Sequence, residues 1–365
     1  MKRSGCLALA CAMFVAPQVF AQEWIALQDG KSLKGWKPAE NPATWVVEDG
    51  AFVSRGDRSH LFYVGKVGPR NHPGDFRNFE LSAEVMTAPG ANSGIYIHTK
   101  LQGPGWPVAG YEMQVINSNP PAEKMGGYIE YKMTGSVYAI RNSWVAPAKD
   151  NEWFNYRIRV VGKTIQSFIN GKLVCEYAEP AQAWRPQDKP GRLLGSGTFA
   201  LQAHDPTSVV KFKDIKVKIL PDDTAPPAGL VPLEDRELDQ LVTQASNDNI
   251  PLIDFSLVAP EGTAEEFWST VRRLGMTPIS SFPAGAFAHP PASMLVIDDR
   301  DAAPDVEALK SAKAARVKIA FRSDPGAQSR IDVAQLKRRL QAIQAAGLDW
   351  KDFWVPGKEI PATKP

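Results

Sequence analysis

Three short segments concentrate side chains able to move protons and bind hydroxyl groups. In Tyr111-Glu112-Met113-Gln114-Val115, strict alternation puts Tyr111, Met113 and Val115 on one face of a strand and Glu112 with Gln114 on the other. In Ser93-Gly94-Ile95-Tyr96-Ile97-His98-Thr99 the same period sets Ser93, Ile95 and Ile97 against Tyr96 and His98. In Phe79-Glu80-Leu81-Ser82-Ala83-Glu84-Val85 it sets the apolar residues against Glu80, Ser82 and Glu84. One face is therefore apolar, and the other carries carboxylates, an amide, a phenol and an imidazole. Polar alternate positions often mark no more than a solvated face. Here Lys and Thr are scarce on that face while Tyr, His, Glu and Gln cluster, which points to a polar groove of the kind that binds or cuts a sugar. Between two of these strands, Gly103-Pro104-Gly105-Trp106-Pro107 offers a loop tryptophan suited to stacking on a pyranose or plugging the loop's own core. Trp153 opens a later strand and is expected in the core.

The elements that must position these groups are short strands. Residues 24–220 carry turn signals at Asp29-Gly30, Asp49-Gly50 and Asn170-Gly171, the last inside the hairpin pattern TIQSFI-NG-KLVCEY. No long helical period interrupts them, and the natural architecture is an all-β sandwich. Residues 221–236 open with a Pro-rich stretch and read as a linker. Residues 237–365 alternate helix and strand: a capped helix from Thr263 to Gly275, buried-type strands at MLVID and RVKIAF, and an amphipathic helix from Asp332 to Gly347 bearing Val333, Leu336, Leu340 and Ile343 on one face. The expectation is a mainly β chain followed by a small α/β domain.

Lys2 and Arg3, the apolar run LALACAMFVA and Val19-Phe20-Ala21 form a secretory signal over residues 1–21, so the mature chain is expected to begin at Gln22 in the periplasm or outside the cell. The apolar run is too short to span a membrane. Cys6 and Cys11 leave with the signal, and the remaining Cys175 is expected to be a packed core thiol. With 42 Lys plus Arg against 40 Asp plus Glu, no global field favours nucleic acid.

At LQDGKSLKGWK, WVVEDGAFVS, NFELSAEV, GANSGIYIHT, GYEMQVIN, GSVYAI, DNEWFNYRIRVVGKTIQSFINGKLV and FALQAHDPTSVVKFKDIKV, in this order and spacing, the chain resembles the 3-keto-disaccharide hydrolase family across nearly all of residues 24–220. The resemblance implies a concanavalin-like jelly roll that acts on glycosides whose C3 hydroxyl has become a ketone. It maps the Asn-Ser-Gly turn onto Asn92-Ser93-Gly94, the Glu-x-Gln strand onto Glu112 and Gln114, and the Leu-Gln-x-His strand onto Leu201-Gln202-Ala203-His204. Where many members carry Arg, this chain has His98, and Phe212-Lys213-Asp214-Ile215 replaces Phe-Arg-Asn-Ile.

A C3 ketone acidifies the C2 hydrogen; a base can remove it, the C1 substituent can leave, and water can add back. Direct displacement at C1 is the other route, and both need a carboxylate or imidazole base. Glu112 is the first candidate, and His204 the second, as general acid or partner of the enolate oxygen. Glu84, Asn92, Tyr96, His98, Trp106, Gln114 and Gln202 are expected to bind substrate. A divalent cation among these Glu, Gln, Asn and His residues would be feasible, but no spacing signature fixes a metal and no cofactor is assigned. The expected partner is a small carbohydrate. The rival reading is a non-catalytic, lectin-like module of the cell envelope, since this fold hosts lectins as readily as enzymes.

More weakly, the C-terminal part resembles the opening of a PHP-type metallohydrolase barrel. That family places Asp-x-His-x-His after its first strand, whereas this chain has Asp254-Phe255-Ser256-Leu257-Val258. With both histidines absent, a degenerate barrel without metal chemistry is expected.

Overall fold

The computed structural model describes residues 23–67, 76–119, 130, 132–143 and 146–247, and further on 294–297, 303–314, 318–321, 333–348 and 352. In chain order the sandwich strands are β1 (Ile25–Ala26), β2 (Trp36–Pro38), β3 (Trp45–Glu48), β4 (Ala51–Ser54), β5 (Ser59–Tyr63), β6 (Phe79–Thr87), β7 (Ser93–Thr99) and β8 (Tyr111–Val115). Then come β9 (Met133–Val137), β10 (Arg141–Ser143), β11 (Phe154–Val161), β12 (Thr164–Ile169), β13 (Lys172–Ala178), β14 (Thr198–Ala203) and β15 (Val210–Ile219). They form two antiparallel sheets. The back sheet runs β13-β12-β11-β6-β15-β4-β3, with β1 added on β15, and the front sheet runs β10-β9-β8-β7-β14-β5-β2. This is the expected mainly β, concanavalin-like sandwich.

Alternation determines what fills the space between the sheets. Phe79, Leu81, Ala83 and Val85 of β6 meet Ile95 and Ile97 of β7, Met113 and Val115 of β8, and Phe199 and Leu201 of β14 in one core. Phe199 stacks on Phe76 at 4.4 Å and meets Phe79 edge-on at 5.0 Å. Cys175 is a buried free thiol in this core; its Sγ donates to the Arg141 carbonyl at 3.3 Å, and burial raises its pKa to about 12. Two of the turns follow their sequence signals directly: Asp49-Gly50 and Asn170-Gly171 both have positive φ at both residues, the type I′ geometry that matches strand twist. Trp153, expected inside, is instead partly exposed, with Lys213 Nζ 4.1 Å from its ring centroid.

One irregularity shapes the front sheet. Thr198 pairs with Thr99 and Ala200 with Tyr96, so two residues of β7, Ile97 and His98, oppose Phe199 alone. His98 occupies the left-handed region at φ 52°, the signature of a bulge that turns a side chain off its alternate face. Two glycines make room for it. A Cβ on Gly110 would collide with the Ile97 carbonyl oxygen, and one on Gly197 with the backbone of His98 and Thr99.

Further on lie α1 (Arg236–Asn247), β16 (Met294–Ile297), α2 (Val306–Ala314), β17 (Lys318–Phe321) and α3 (Val333–Ala346). β16 and β17 pair in parallel, as the α/β pattern requires, and Leu340 and Ile343 of α3 are buried. The expected boundary at 236–237 falls in the first turn of α1, which packs on the sandwich instead: Asn142 Nδ2 at β10 donates to the Ser246 carbonyl at 2.8 Å. The capped helix expected at 263–275 and the residues Asp254, Ser256 and Val258 lie outside the described residues. Among those residues, no helix is long and apolar enough to cross a membrane.

Gly110→Ala should cost more than about 3 kcal/mol in urea unfolding, because it combines φ 75° with a backbone collision. Gly103→Ala in the same loop, where a Cβ meets nothing within 4 Å, should stay within about 0.5 kcal/mol of the parent.

Candidate active site

The outward face of the front sheet carries a cavity of about 420 Å³. Tyr96, Glu112, Gln114 and Gln202 line it from the strands, Asn92 and His204 from the residues that flank β7 and β14, Trp106, Pro107 and Val108 from the β7–β8 loop, and Tyr138, Asp188, Lys189 and Arg192 from two further loops. Six sequence-read positions on or beside the front-sheet strands thus converge, together with Trp106.

Glu112 sits at the centre and is nearly sealed from solvent at 7 % exposure. Its register partner Tyr96 donates to Oε2 at 2.9 Å, and Gln202 Nε2 donates to Oε1 at 2.9 Å and lies 3.2 Å from the Tyr96 hydroxyl. These bonds favour the ionised carboxylate, as does the Arg192 charge, yet burial outweighs them and raises the pKa of Glu112. Burial and the adjacent carboxylate hold Tyr96 well above the usual phenol value, so it remains a donor. Gly94 makes the arrangement feasible. A Cβ there would stand 2.7 Å from Glu112 Oε1 and 2.9 Å from its Cγ, so the carboxylate occupies space that only glycine leaves open.

The buried carbonyl oxygens of Gln114 and Gln202 have no hydrogen-bond partner within the protein. Gln114 Nε2 reaches Asn92 Oδ1 at 3.4 Å. Both glutamine side chains line the cavity, with these carbonyl oxygens themselves buried in its wall. His204 is fixed from behind: its Nδ1 lies 2.8 Å from Asp205 Oδ2, which leaves Nε2 for the cavity. Asp205 is held well below the usual carboxylate range by that imidazole, against some burial, and by Thr207 and Ser208.

Trp106, 43 % exposed, forms the aromatic wall. Its ring lies 5.1 Å from that of His204 and 5.4 Å from that of His60, with the Arg58 guanidinium 5.1 Å from its centroid. Gln102 braces the loop by donating to the Trp106 carbonyl at 3.0 Å and accepting from Val108 N–H at 3.1 Å.

Two expected site residues are elsewhere. His98 is turned off the cavity face by the bulge: its Nε2 donates to the Arg77 carbonyl at 2.9 Å, its Nδ1 accepts from Gly195 N–H at 3.2 Å, and its ring abuts Phe79. Glu84 has the right alternation but belongs to the back sheet, where it accepts from Asn155 at 3.0 Å, far from the front-sheet cavity in the layer order. Sequence reasoning missed Lys189 and Arg192, which come from an aperiodic loop, and Tyr138, which follows β9 in a turn. Lys189 has a lowered pKa through burial and the neighbouring Arg192 charge. His60, opposite Gln202 in register, was also missed, although the alternation of Ser-His-Leu-Phe-Tyr offered a signal. Among the described residues no group of three or more His, Cys, Asp or Glu side chains could hold a metal ion.

A recessed carboxylate ringed by amides, with a tryptophan on the cavity wall, suits a ring-shaped ligand rich in hydroxyls. The family described as the 3-keto-alpha-glucoside-1,2-lyase-like domain matches residues 23–218, and the chain belongs to that family. A 3-keto-disaccharide hydrolase of Bacteroides thetaiotaomicron is 28 % identical over 235 residues, 55 % of this chain and 80 % of that protein. A solved structure from Parabacteroides distasonis, described only provisionally as a glycosyl hydrolase, is 24 % identical with a TM-score of 0.45 and covers 54 % of this chain and 94 % of its own. The carbohydrate-binding module CBM66 of Bacillus subtilis gives 11 % identity and a TM-score of 0.33 over 50 % of this chain and 95 % of its own.

The two buried imidazoles predict an acid-sensitive fold. Burial lowers both His60 and His98 from 6.5 to about 4, so both are neutral in the native state. Around His60 the charged and titratable groups are Glu40, whose Oε1 is 3.7 Å away, Arg58 and His204. A lowered native pKa contributes stability that is complete above 6.5 and is lost as pH falls toward 4. Each group then accounts for on the order of 3 kcal/mol. His60→Phe should remain within about 1.5 kcal/mol of the parent at pH 7.5. By pH 4.5 it should have lost about 2.5 kcal/mol less, read from urea titrations at both pH values.

Proposed function

We propose that the protein is an exported enzyme that cleaves the C1–O bond of 3-keto-glycosides or 3-keto-disaccharides by elimination followed by hydration. The observation that carries this reading is Glu112: a buried carboxylate with a raised pKa, gripped by two donors at the base of a cavity that a sugar ring would fill. A carboxylate made more basic by burial suits abstraction of a carbon-bound hydrogen.

In this mechanism Glu112 takes the C2 proton of the 3-keto sugar, and the electron pair moves onto the C3 oxygen. Arg192, whose charge already acts on Glu112, faces the resulting enolate with Lys189 beside it. The enolate re-forms the ketone as the C1–O bond breaks, leaving a C1–C2 double bond and a departing alkoxide. Protonated His204 neutralises the leaving oxygen through Nε2, with Asp205 holding the imidazole on its other side. For hydration the roles reverse: His204 accepts a proton from water as the water oxygen adds to C1, and Glu112 returns its proton to C2. The sum is hydrolysis, with every group restored. Gln114, Gln202 and Asn92 accept from or donate to ring hydroxyls, and Trp106 covers the apolar face of the ring. Where the departing group is itself a sugar, the substrate is a 3-keto-disaccharide, in line with the name of the Bacteroides relative.

Export belongs to the same proposal and rests on the charged Lys2 and Arg3 followed by the apolar run; a mature N-terminus other than Gln22 in cell fractions would remove it.

Glu112→Gln should keep the fold, because Gln202 can turn its unpaired carbonyl toward the new amide, and should lower kcat roughly 100- to 10,000-fold on a 3-keto-glucoside followed by NMR. In the parent, kcat should fall as pH drops through the raised pKa of Glu112, since the base must be ionised. Gly94→Ala, which retains the carboxylate but displaces it, should lose kcat in the same direction. Tight sugar binding without turnover by the parent would replace the enzyme with a carbohydrate-binding module.

A further inference from the structure

The loop carrying Lys189 and Arg192 is held from beneath by a buried charge cluster. Arg185, its side chain 3 % exposed, donates through Nε to the Arg192 carbonyl at 2.6 Å and through Nη2 to the Tyr177 hydroxyl at 2.6 Å and to the Tyr111 hydroxyl. Tyr111 precedes Glu112 on β8 and points into the core. The guanidinium thereby links the loop to the strand that carries the proposed base. A buried guanidinium requires a counter-charge. Glu179 lies 3.9 Å away but is already engaged by Lys163 Nζ at 2.6 Å, the Tyr111 hydroxyl at 2.5 Å and Leu194 N–H at 2.7 Å. The other carboxylate is Asp239 of α1, with no solvent exposure: its Oδ2 accepts from Trp184 N–H at 2.8 Å and stands 3.9 Å from Arg185 Nη1. The same carboxylate attracts the buried Arg141 of β10. Glu234, just before α1, accepts from Ala181 N–H at 3.1 Å. Asp239 and Glu234 lie beyond residue 218, where the family domain ends, and add to the Glu179 that the sandwich itself supplies.

We propose that α1 is a positioning element of the cavity: Asp239 neutralises Arg185, and Arg185 sets the loop that brings Lys189 and Arg192 to the site. The sandwich of this chain shares Glu179 between Lys163 and Arg185 and draws a second carboxylate for its buried arginines from the segment after it. The structural part of the proposal stands on the geometry; its kinetic consequence rests on the function proposed above.

Trypsin reads the loop directly. Arg185 and Lys189 precede Pro186 and Pro190, so Arg192–Leu193 is the one susceptible bond between residues 185 and 195. In the full chain, at a temperature equally far below each Tm, Asp239→Ala should be cut there about tenfold faster than the parent. Asp239→Asn should fall between, since its amide oxygen still accepts from Trp184 N–H. Val242→Ala, a cavity mutation of a buried residue in the same helix outside the charge cluster, should match the parent. On a 3-keto-glucoside, kcat/KM should fall about tenfold for Asp239→Ala and not for Val242→Ala. If Asp239→Ala does not accumulate as folded protein, Asp239→Asn against Val242→Ala makes the same comparison. Equal cleavage of the Asp239 and Val242 variants at Arg192–Leu193 would overturn the proposal. A parent inactive on 3-keto-glycosides would remove the reading of the cavity and leave the cleavage comparison decisive.

Discussion

Burying an ionisable carboxylate is the constraint around which the front sheet is arranged. An unpaired carboxylate in a nearly dry site would cost several kcal/mol, and the group would neutralise or turn out to solvent. Glu112 stays because three strands each surrender something to it. β7 gives the Tyr96 hydroxyl and the empty space at Gly94, β14 gives the Gln202 amide, and β8 supplies the residue itself. These strands are adjacent in the order β8-β7-β14, so the donors come from cross-strand neighbours and their positions are set by sheet hydrogen bonds. Rigid placement of this kind is what proton abstraction from carbon demands.

The core beneath that face serves two purposes. Phe79, Phe199 and Phe76 supply the apolar burial that holds the sandwich together without a disulfide among the described residues. Tyr111, like Tyr177, is a core aromatic with a polar end. Its ring is buried, but its hydroxyl meets Glu179 and Arg185 at the edge of the sandwich. The strand that carries Glu112 outward therefore carries, one residue earlier and on the opposite face, the contact that fixes the cationic loop. Strand alternation converts one residue step into the thickness of a sheet and so ties the two halves of the site together.

Much of this was legible in the sequence, because period-2 alternation is a property of the backbone. It placed Tyr96, Glu112 and Gln114 on one face directly, and the family resemblance added Gln202 and His204. It failed at His98 because a single bulge reverses parity, and the glycines that permit the bulge, Gly110 and Gly197, lie on other segments. It failed differently at Glu84. Alternation separates inward from outward, but a sandwich has two outward faces, and nothing local says which sheet a strand joins. Lys189 and Arg192 sit in a loop with no period at all, so only the folded chain brings them to the cavity. Reading residues 237–365 as a unit of their own gave no sign of the contact between α1 and the sandwich, for a related reason. The burial of Asp239 depends on Arg141 and Arg185, which are remote in sequence and unremarkable as isolated residues.

The division between sheet and loop also bears on what the site can recognise. The base and the hydroxyl-reading amides lie on strands, where register fixes them. The cations and Trp106 lie on loops that bracket the cavity mouth. In the proposed chemistry, the oxidised ring must sit still for C2 deprotonation, whereas the departing group needs only to be covered and its oxygen protonated. The strands hold the base and the amides beside the ring, while the loops bring the cations to the enolate and Trp106 over the ring. A change of aglycone can then be accommodated by loop sequence alone, while any change near Gly94, Tyr96 or Gln202 acts on the base itself. Anchoring the cationic loop through Arg185 to α1 limits that freedom on one side, where enolate charge must be met by a fixed positive group. The Trp106 loop, braced chiefly by Gln102 and its packing on His60, keeps a large apolar surface exposed for whatever the ring carries.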